Sequence, residues 1–458
     1  MSSEASTVTA ALAREAAPPG PRGNPFFGRS VRRSRRDPLG FITEVAARFG
    51  DAASFRAGGE QVYFFNHPDS VRQVLTGHYD NFLKGRGNLR LRRFLGEGLL
   101  LSEGELHRRQ RRLALPAFHR PRLAAYAEVM ADYAARTAAR WRDGQTVEVS
   151  DEMLRLTLAV VGRTLFGADV ESQADAVGRA MADATRQFRA FKLPFANLFE
   201  RLPLARLRRF HAGKERLRRL ALTLIEERRR TGEDAGDLLS MLLAAEDADD
   251  GSRMTAEQVW DEALTIFIAG YDTMSVALTW TFYLLSQNPE AERRLHAELD
   301  AVLAGGRAAT FDDLPRLPYT EQVLCEAMRV YPPTWRLVRR ALREVEVGGY
   351  RVPAGALVVV SAYAMHRDAR YFPDPERFAP ERFTPEAKAA RPPFAYFPFG
   401  GGPRRCLGEG FALVEGVILL ATLARRWRLR LAPGQRVEPL PQHLLRARHG
   451  MSMTAEKR

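Results

Sequence analysis

The sequence predicts a mainly α-helical protein with small β-sheets (α+β class). Three observations carry this. Apolar residues recur at helical spacing (i, i+3, i+4) through most of 105–303. The period changes to short strand-like runs joined by Gly and Pro turns in 345–361 (VEVGGYRVPAGALVVVS). No composition break after residue 24 separates independent units, so 25–458 reads as one large domain. Residues 1–24 are small, polar and proline-bearing and read as disordered.

Along the chain, Asp37 to Phe49 (DPLGFITEVAARF) reads as a helix and Ala53 to Phe65 as two short strands about Gly58-Gly59. His67 to Thr76 reads as a helix with proline in its first turn. Helical periodicity returns in Ala124 to Trp141, Asp151 to Leu165 and Phe210 to Arg230. Residues 186–204 (RQFRAFKLPFANLFERLPL) are aromatic-rich and broken by Pro194 and Pro203, which makes them a loop between helices. Thr255 to Gln287 is apolar on most sides, the mark of a helix through the protein's centre, and Thr255 with Gln258 forms a capping box. Helices over Pro289 to Leu303 and Pro318 to Tyr331 follow, the second stopped by Pro332-Pro333. His366 to Arg405 is dense in Pro, Phe and Arg with little periodicity; a loop that long is usually functional. Leu407 to Arg426 returns to helix.

Lys and Arg number 69 against 55 Asp and Glu, a formal charge of +14. That balance favours acidic partners, yet composition alone does not choose among nucleic acid, an anionic surface and an acidic protein, and arginine usage can also be a compositional bias. Two cysteines exclude a disulfide framework and fit a reducing compartment. No run of about eighteen apolar residues occurs; Leu413 to Leu423 comes nearest and is interrupted by Glu415. A cytoplasmic protein without a membrane anchor is expected.

FGGGPRRCLGEG (399–410) places one of the two cysteines in the most glycine-dense loop of the chain. A thiolate that binds metal needs stabilisation, because a free thiol is mostly protonated at neutral pH. Gly402 and Gly408 would let backbone amides approach the sulfur of Cys406. The helix that follows would aim its N-terminal amides and dipole at it, and Arg404 and Arg405 add positive charge. A single cysteine cannot build a structural zinc site, which leaves an iron ligand, a nucleophile or a structural thiol. Cys325, mid-helix in an apolar stretch, reads as a buried core thiol.

Phe399, Gly402, Arg404, Cys406 and Gly408 match the form FxxGxRxCxG, which resembles the haem-binding loop of the cytochrome P450 superfamily. The resemblance implies haem b with Cys406 as the axial thiolate, Arg404 on a haem propionate and Phe399 near the sulfur. Other segments agree in order. Glu326 and Arg329, three apart on one helix face, resemble the family's ExxR element, with Arg382 of FAPERF (378–383) as third member. Ala269-Gly270-Tyr271-Asp272-Thr273 sets glycine, acid and hydroxyl in an apolar helix, where buried polar groups usually have a task. It resembles the oxygen-activation element: Ala269 and Gly270 would leave room for dioxygen, Thr273 would hydrogen-bond it, and Asp272 would help relay protons. Met274 stands where the family commonly has Thr or Ser. GELHRRQRRLALPAF (104–118) resembles the helix that meets the propionates, with His107 and Arg111 at i, i+4; Arg339 matches a further propionate contact.

The implied activity is monooxygenation: one atom of O2 enters a C–H or C=C bond and the other leaves as water. Electrons would come from a separate ferredoxin or flavodoxin and its reductase, for which Arg108, Arg109 and Arg112 offer a basic docking face. Family correspondence places Phe188, Phe191, Phe195, Ile266, Phe267, Ala269, Trp335, Leu337, Val338 and Leu444 near the pocket. That set is apolar and aromatic, so a small hydrophobic substrate is expected: a terpenoid, polyketide, fatty acid or steroid of secondary metabolism. The expected protein is a monomer that binds no nucleic acid. The alternatives are a peroxide-using haem-thiolate enzyme, against which Asp272-Thr273 argues, and a non-catalytic haem-binding protein, which needs no oxygen-activation helix.

Overall fold

Asp37 opens helix α1 (Pro38–Phe49): its carboxylate accepts from the Gly40 amide at 2.9 Å, and Gly50 ends the helix at φ +73°. The computed structural model describes residues 17–21, 36–57, 59–85, 95–167, 225–232, 234–247 and 249–458, with isolated positions between these runs. Strands β1 (Ala52–Ala57) and β2 (Glu60–Phe65) form the expected hairpin. Helix α2 (Pro68–Arg72) is capped by the His67 side chain and continues as a π-helical turn over Gln73–Gly77 before β3 (Phe82–Lys84). Then come α3 (Gly104–Ala114), α4 (Arg120–Arg140), β4 (Thr146–Glu148) and α5 (Val149–Phe166). Of the helix predicted over 210–230, the described part from 225 onward is helical.

After α6 (Leu238–Ala244), the long helix α7 (Ala256–Gln287) begins with the predicted capping box. The Thr255 amide donates to Gln258 Oε1 at 2.9 Å and the Gln258 amide to Thr255 Oγ1 at 3.2 Å, a device that contributes about 1 kcal/mol. Helices α8 (Pro289–Val302) and α9 (Pro318–Val330) follow. The next elements are β5 (Leu337–Ala341), β6 (Val345–Val347), β7 (Tyr350–Val352), β8 (Leu357–Val360) and the short helices α10 (Ala362–Met365) and α11 (Pro385–Ala390). The chain ends with α12 (Glu409–Arg426), β9 (Trp427–Leu431), β10 (Pro439–Pro441), β11 (Leu445–Ala447) and β12 (Ser452–Lys457). Strand β5 was not expected, because Arg339 and Arg340 interrupt its apolar alternation.

The largest sheet has the order β1-β2-β8-β5-β3, antiparallel except for the β2–β8 pair. A three-stranded sheet, β4-β12-β9, ties the C-terminal strand to the middle of the chain. The main apolar core lies among α4, α5, α7, α9 and α12. Trp280 of α7 is fully buried there, stacks on Tyr331 at 3.9 Å and donates its indole N–H to the Leu445 carbonyl at 2.7 Å. Burying one such side chain contributes about 2–3 kcal/mol. Among the described residues α7 is also the one helix long and apolar enough to cross a membrane, and 72% of its apolar window is buried, as befits a core helix. Its hydroxyls satisfy themselves by bonding back to the helix: Thr279 donates to the Ser275 carbonyl and Thr281 to the Ala277 carbonyl, both at 2.7 Å.

Candidate active site

The cysteine loop is built by backbone bonds. The Cys406 amide donates to the Phe399 carbonyl at 2.9 Å, and the Arg405 amide to the Gly402 carbonyl at 2.9 Å. The nearby Gly408 amide, Arg111 and Arg405 favour the thiolate. Burial outweighs them and pushes the Cys406 thiol up, although the residue keeps accessible surface. Those two facts together describe a sulfur that faces a space walled by protein. Cys325 is the opposite case: it is buried and its thiol is pushed up to about 12.

Gly402 has a task other than the expected one. At φ +65° its Cβ would overlap the Leu75 carbonyl oxygen, so it lets the loop rest on the π-helical turn. Arg111 Nη1 donates to the Arg405 carbonyl at 2.7 Å, bracing the loop from α3. Arg405 itself is tied to Glu409 in the first turn of α12.

Behind the loop, Glu326 and Arg329 on α9 are fully buried and joined twice, Nε–Oε2 at 2.7 Å and Nη2–Oε1 at 2.8 Å. Glu326 also accepts from the Ala379 amide at 2.8 Å, and Arg382 approaches it at 3.5 Å. Arg329 Nη1 donates to the His366 carbonyl at 2.8 Å, and His366 Nε2 accepts from the Phe397 amide at 3.0 Å. His366 therefore links the buried ion pair to the strand of chain entering the cysteine loop; burial holds its imidazole well below the usual pKa, so it is neutral and can accept. Sequence reasoning missed this residue.

A cluster of cations lies beside the loop. Lys84, unanticipated from sequence, is held well below its usual pKa, first by burial and then by Arg404, Arg339 and Arg92. Burial brings Arg404 and Arg339 each down to about 10. Burial, then Lys84, Arg111 and Arg339, bring His107 to about 4, so His107 is a neutral donor at pH 7. Glu103 offsets part of this charge: it takes Arg404 and the Lys84 amide, while Arg404 also donates to the Ser102 carbonyl at 3.1 Å. A desolvated excess of cations calls for anions. The two carboxylates of a haem fit it, next to a sulfur donor on the same loop as Arg404.

On α7, Ala269 is exposed in a helix that is mostly buried, so it borders open space. Gly270 instead turns toward α5, where its Cβ would stand 3.1 Å from Val161; its small size serves helix packing. Thr273 Oγ1 donates to the Ala269 carbonyl at 2.9 Å, and the buried Asp272 is ion-paired with Arg446 of β11. Met274 is buried against Gly416 of α12.

The expected pocket residues divide. Phe267, Leu337 and Val338 retain accessible surface. Trp335, Leu444 and Ile266 are buried: Trp335 donates to the Gln442 carbonyl at 3.1 Å, and Leu444 and Ile266 belong to the main core. Phe188, Phe191 and Phe195 lie outside the described residues. The basic face of α3 is also altered. Arg109 pairs with the buried Asp247 at 3.2 Å, Arg112 with Asp247 at 3.1 Å and Asp249 at 2.6 Å, and Arg108 with Glu105. These arginines are largely spent on intramolecular partners.

An accessible cysteine just before a buried helix, in a loop backed by a buried Glu–Arg pair, is the arrangement of a haem-thiolate protein. The chain belongs to the cytochrome P450 family, whose profile matches residues 18–454. It is 39% identical over 433 residues to cyclooctatin synthase of Streptomyces melanosporofaciens, with 93% of each chain covered. It is 36% identical over 422 residues to pentalenene oxygenase of Streptomyces avermitilis, covering 92% of this chain and 93% of the relative. The cytochrome P450DA haem domain superposes with a TM-score of 0.87 at 26% identity over 97% of this chain and 98% of that one. A retinoic acid-bound cyanobacterial structure gives 0.85 at 28% identity over 97% of this chain and 100% of that one. The protein is thus a monooxygenase that carries haem with a cysteine thiolate ligand and uses O2, a hydrophobic substrate and redox partners.

Proposed function

We propose that this monooxygenase oxidises a terpenoid and that Cys406 is its thiolate ligand. The observation that carries the ligand assignment is the contrast between the two thiols: Cys406 is accessible in a loop with Arg111 and Arg405 beside it, whereas Cys325 is buried with its proton held to about 12. Terpenoid oxidation is supported by the relatives, which include cyclooctat-9-en-7-ol 5-monooxygenase and pentalenene oxygenase. The accessible Phe267, Leu337, Val338 and Ala269 supply the apolar walls such a skeleton needs.

Bound haem would supply the oxidising chemistry, with the thiolate favouring O–O cleavage. The chain's own residues do the rest. Gly408 and Arg111 stabilise the sulfur's negative charge. Arg404, Arg339 and Lys84, with His107 as donor, would hold the propionates. Thr273 carries a hydroxyl proton one turn from Ala269, and Asp272 beside it moves protons inward from the Arg446 side. Phe267 and Leu337 exclude water and keep the ligand against that face.

Electrons come, on this reading, from an acidic ferredoxin or a flavodoxin with its reductase. A cleft of about 390 Å³ beside the cysteine loop, lined by Phe383, Lys388, Phe394, Phe399 and Arg405, is the surface such a partner would use. The exposed Leu115 at the end of α3 adds an apolar contact point on that helix. We also read the enzyme as a cytoplasmic monomer.

The test is spectroscopic first. The reduced, carbon monoxide-treated enzyme should absorb near about 450 nm, as thiolate ligation requires. Cys406→Ala should abolish that band and Cys325→Ala should keep it; the reverse result would refute the assignment. A panel of cyclic terpenes turned over with a ferredoxin system should then give hydroxylated or epoxidised products, and turnover of straight-chain substrates alone would reject the terpenoid reading.

A further inference from the structure

Arg336 follows Trp335 and precedes β5, in the segment that leaves the double proline. Its guanidinium lies over the Trp335 ring, 4.3 Å from the centroid, and Trp335 is anchored in the core. The side chain is therefore propped on a rigid aromatic base.

Every other desolvated arginine of the described residues has an acceptor. Arg404 meets Glu103, Arg382 meets Glu326, Arg339 its neighbouring Val338 carbonyl, Arg111 the Arg405 carbonyl, Arg391 the Arg382 carbonyl and Arg458 Asp300. Arg336 alone among them has neither a hydrogen bond nor an ion pair. Its five N–H donors cannot shed their charge in a protein. With surface open and no acceptor in the protein, these donors are available to something anionic from outside it.

The residue's surroundings say where that something lies. Arg336 keeps accessible surface, yet burial lowers it to about 10. Cys406 shows the same pairing of open surface and desolvation. The next residue, Leu337, reaches the cysteine loop: a Cβ on Gly400 would stand 3.7 Å from its Cδ1. Arg336 is also separate from the cations that suit the propionates. Arg339 depresses both Lys84 and His107, whereas Arg336 is not among the groups that act on either. The remaining accessible walls, Phe267, Leu337, Val338 and Ala269, are apolar.

We propose that Arg336, propped on Trp335 and lacking any acceptor of its own, is the anchor for a carboxylate on the substrate. The ligand is then a hydrophobic carboxylic acid, held at one end by a bidentate guanidinium contact and oxidised at a carbon away from the acid. This deepens the terpenoid reading and rests on the same site.

The test is a binding titration of the haem-loaded enzyme, followed by calorimetry and by the spin-state shift. The ligands are abietic acid, its methyl ester and hexadecanoate, against wild type, Arg336→Gln and Arg336→Lys. Each variant is first checked for its band near about 450 nm. The acid should bind wild type at least about tenfold more tightly than the ester, as loss of one member of a desolvated charge pair implies. That preference should vanish in Arg336→Gln and shrink in Arg336→Lys, with ester affinity unchanged. If Arg336→Gln does not load haem, the Lys variant decides by the same criterion. Abietic acid preferred over hexadecanoate identifies an isoprenoid acid; the reverse identifies a fatty acid, and either supports the anchor. Ester binding as tight as acid, acid preference that survives both substitutions, or binding of neither acid would overturn it. Turnover of neutral terpenes under those outcomes would leave the monooxygenase reading standing.

Discussion

Arg446, on the C-terminal hairpin β10–β11, is ion-paired with Asp272 at the middle of α7, 174 residues earlier in the chain. The hairpin is fixed to the same helix a second time, where Trp280 donates to the Leu445 carbonyl. Asp272 is buried, so its carboxylate depends on that guanidinium for compensation. On the proposed proton route, Arg446 is a positioning residue that aims the acid. Arg446→Gln should lower product formed per electron pair by roughly tenfold, within the range for a displaced acid–base group, with peroxide released instead. The solvent isotope effect on turnover should rise, and Arg446→Lys should restore most of the coupling. Unchanged coupling and isotope effect would show that the pair is structural only.

Gly402 and Gly408 flank Cys406, but the structure uses them differently. A side chain at 402 would meet the Leu75 carbonyl in a left-handed backbone conformation, whereas one at 408 would stand 3.5 Å from the Phe118 ring in ordinary contact. Gly402→Ala should therefore cost about 1–3 kcal/mol and leave the enzyme poorly loaded with haem. Gly408→Ala should stay within about 1 kcal/mol and keep its Soret band. Haem content per polypeptide and thermal midpoints read both. Equal behaviour of the two would remove the distinction.

Local spacing made part of this site legible. Glu326 and Arg329 are three apart on one helix, Thr255 and Gln258 form a box, and the cysteine loop is contiguous, so each could be found without knowing the fold. The rest is long-range. Arg404 finds Glu103 across 301 residues and Arg112 finds Asp247 across 135, and no period in the chain encodes either meeting. Lys84 and His366 gave no signal because a lone lysine or histidine at the edge of an element is ordinary. Gly270 was read as space for dioxygen because the sequence shows that a residue is small, not which neighbour requires it to be; Val161 supplies the reason.

Glu326→Gln should be far more damaging than Arg382→Ala. Glu326 joins Arg329 with two short bonds in a fully buried site, and losing the charge strands a guanidinium there at a cost of about 3–5 kcal/mol. Arg382 stands 3.5 Å away, retains some exposure and bonds the Asp374 carbonyl, so its removal should cost about 1 kcal/mol. Soluble yield and haem content on expression separate these outcomes. Comparable losses in both would mean that the three residues act as one unit.

Three buried histidines predict acid lability. Burial is the first cause in each: it brings His107 to about 4, with Lys84, Arg111 and Arg339 assisting, and His296 to about 3, with Arg458 and Arg428 assisting, and it holds His366 well below its usual range, with Arg329 and Arg367 assisting. The unfolded chain binds these protons near pH 6.5 and the folded one does not, so stability is present above that pH and falls as pH drops toward 4. Each group contributes a slope of about 1.4 kcal/mol per pH unit in that window. His296→Phe, distant from the loop, should lessen the histidine part of the slope by about a third without changing the Soret band. A slope that the substitution leaves intact would exclude this origin.

Glu262 on α7 works with the opposite sign. It is fully buried, accepts from the Leu99 amide at 3.0 Å through Oε2, and has no partner for Oε1 among the described residues. Burial raises its pKa to about 7, against the Leu99 bond, which lowers it. The folded protein therefore holds a proton that the unfolded chain releases above about pH 4.5. Its contribution to stability is undiminished below that pH and is lost as pH rises toward 7. Glu262→Gln mimics the protonated carboxyl and removes the ionisation of the unfolded chain. The variant should melt with wild type near pH 4 and exceed it at pH 8 by about 1–3 kcal/mol, visible as a Tm higher by a few degrees. A variant less stable than wild type at pH 8 would mean that the Glu262 carboxylate is ionised in the fold and held there by a cation.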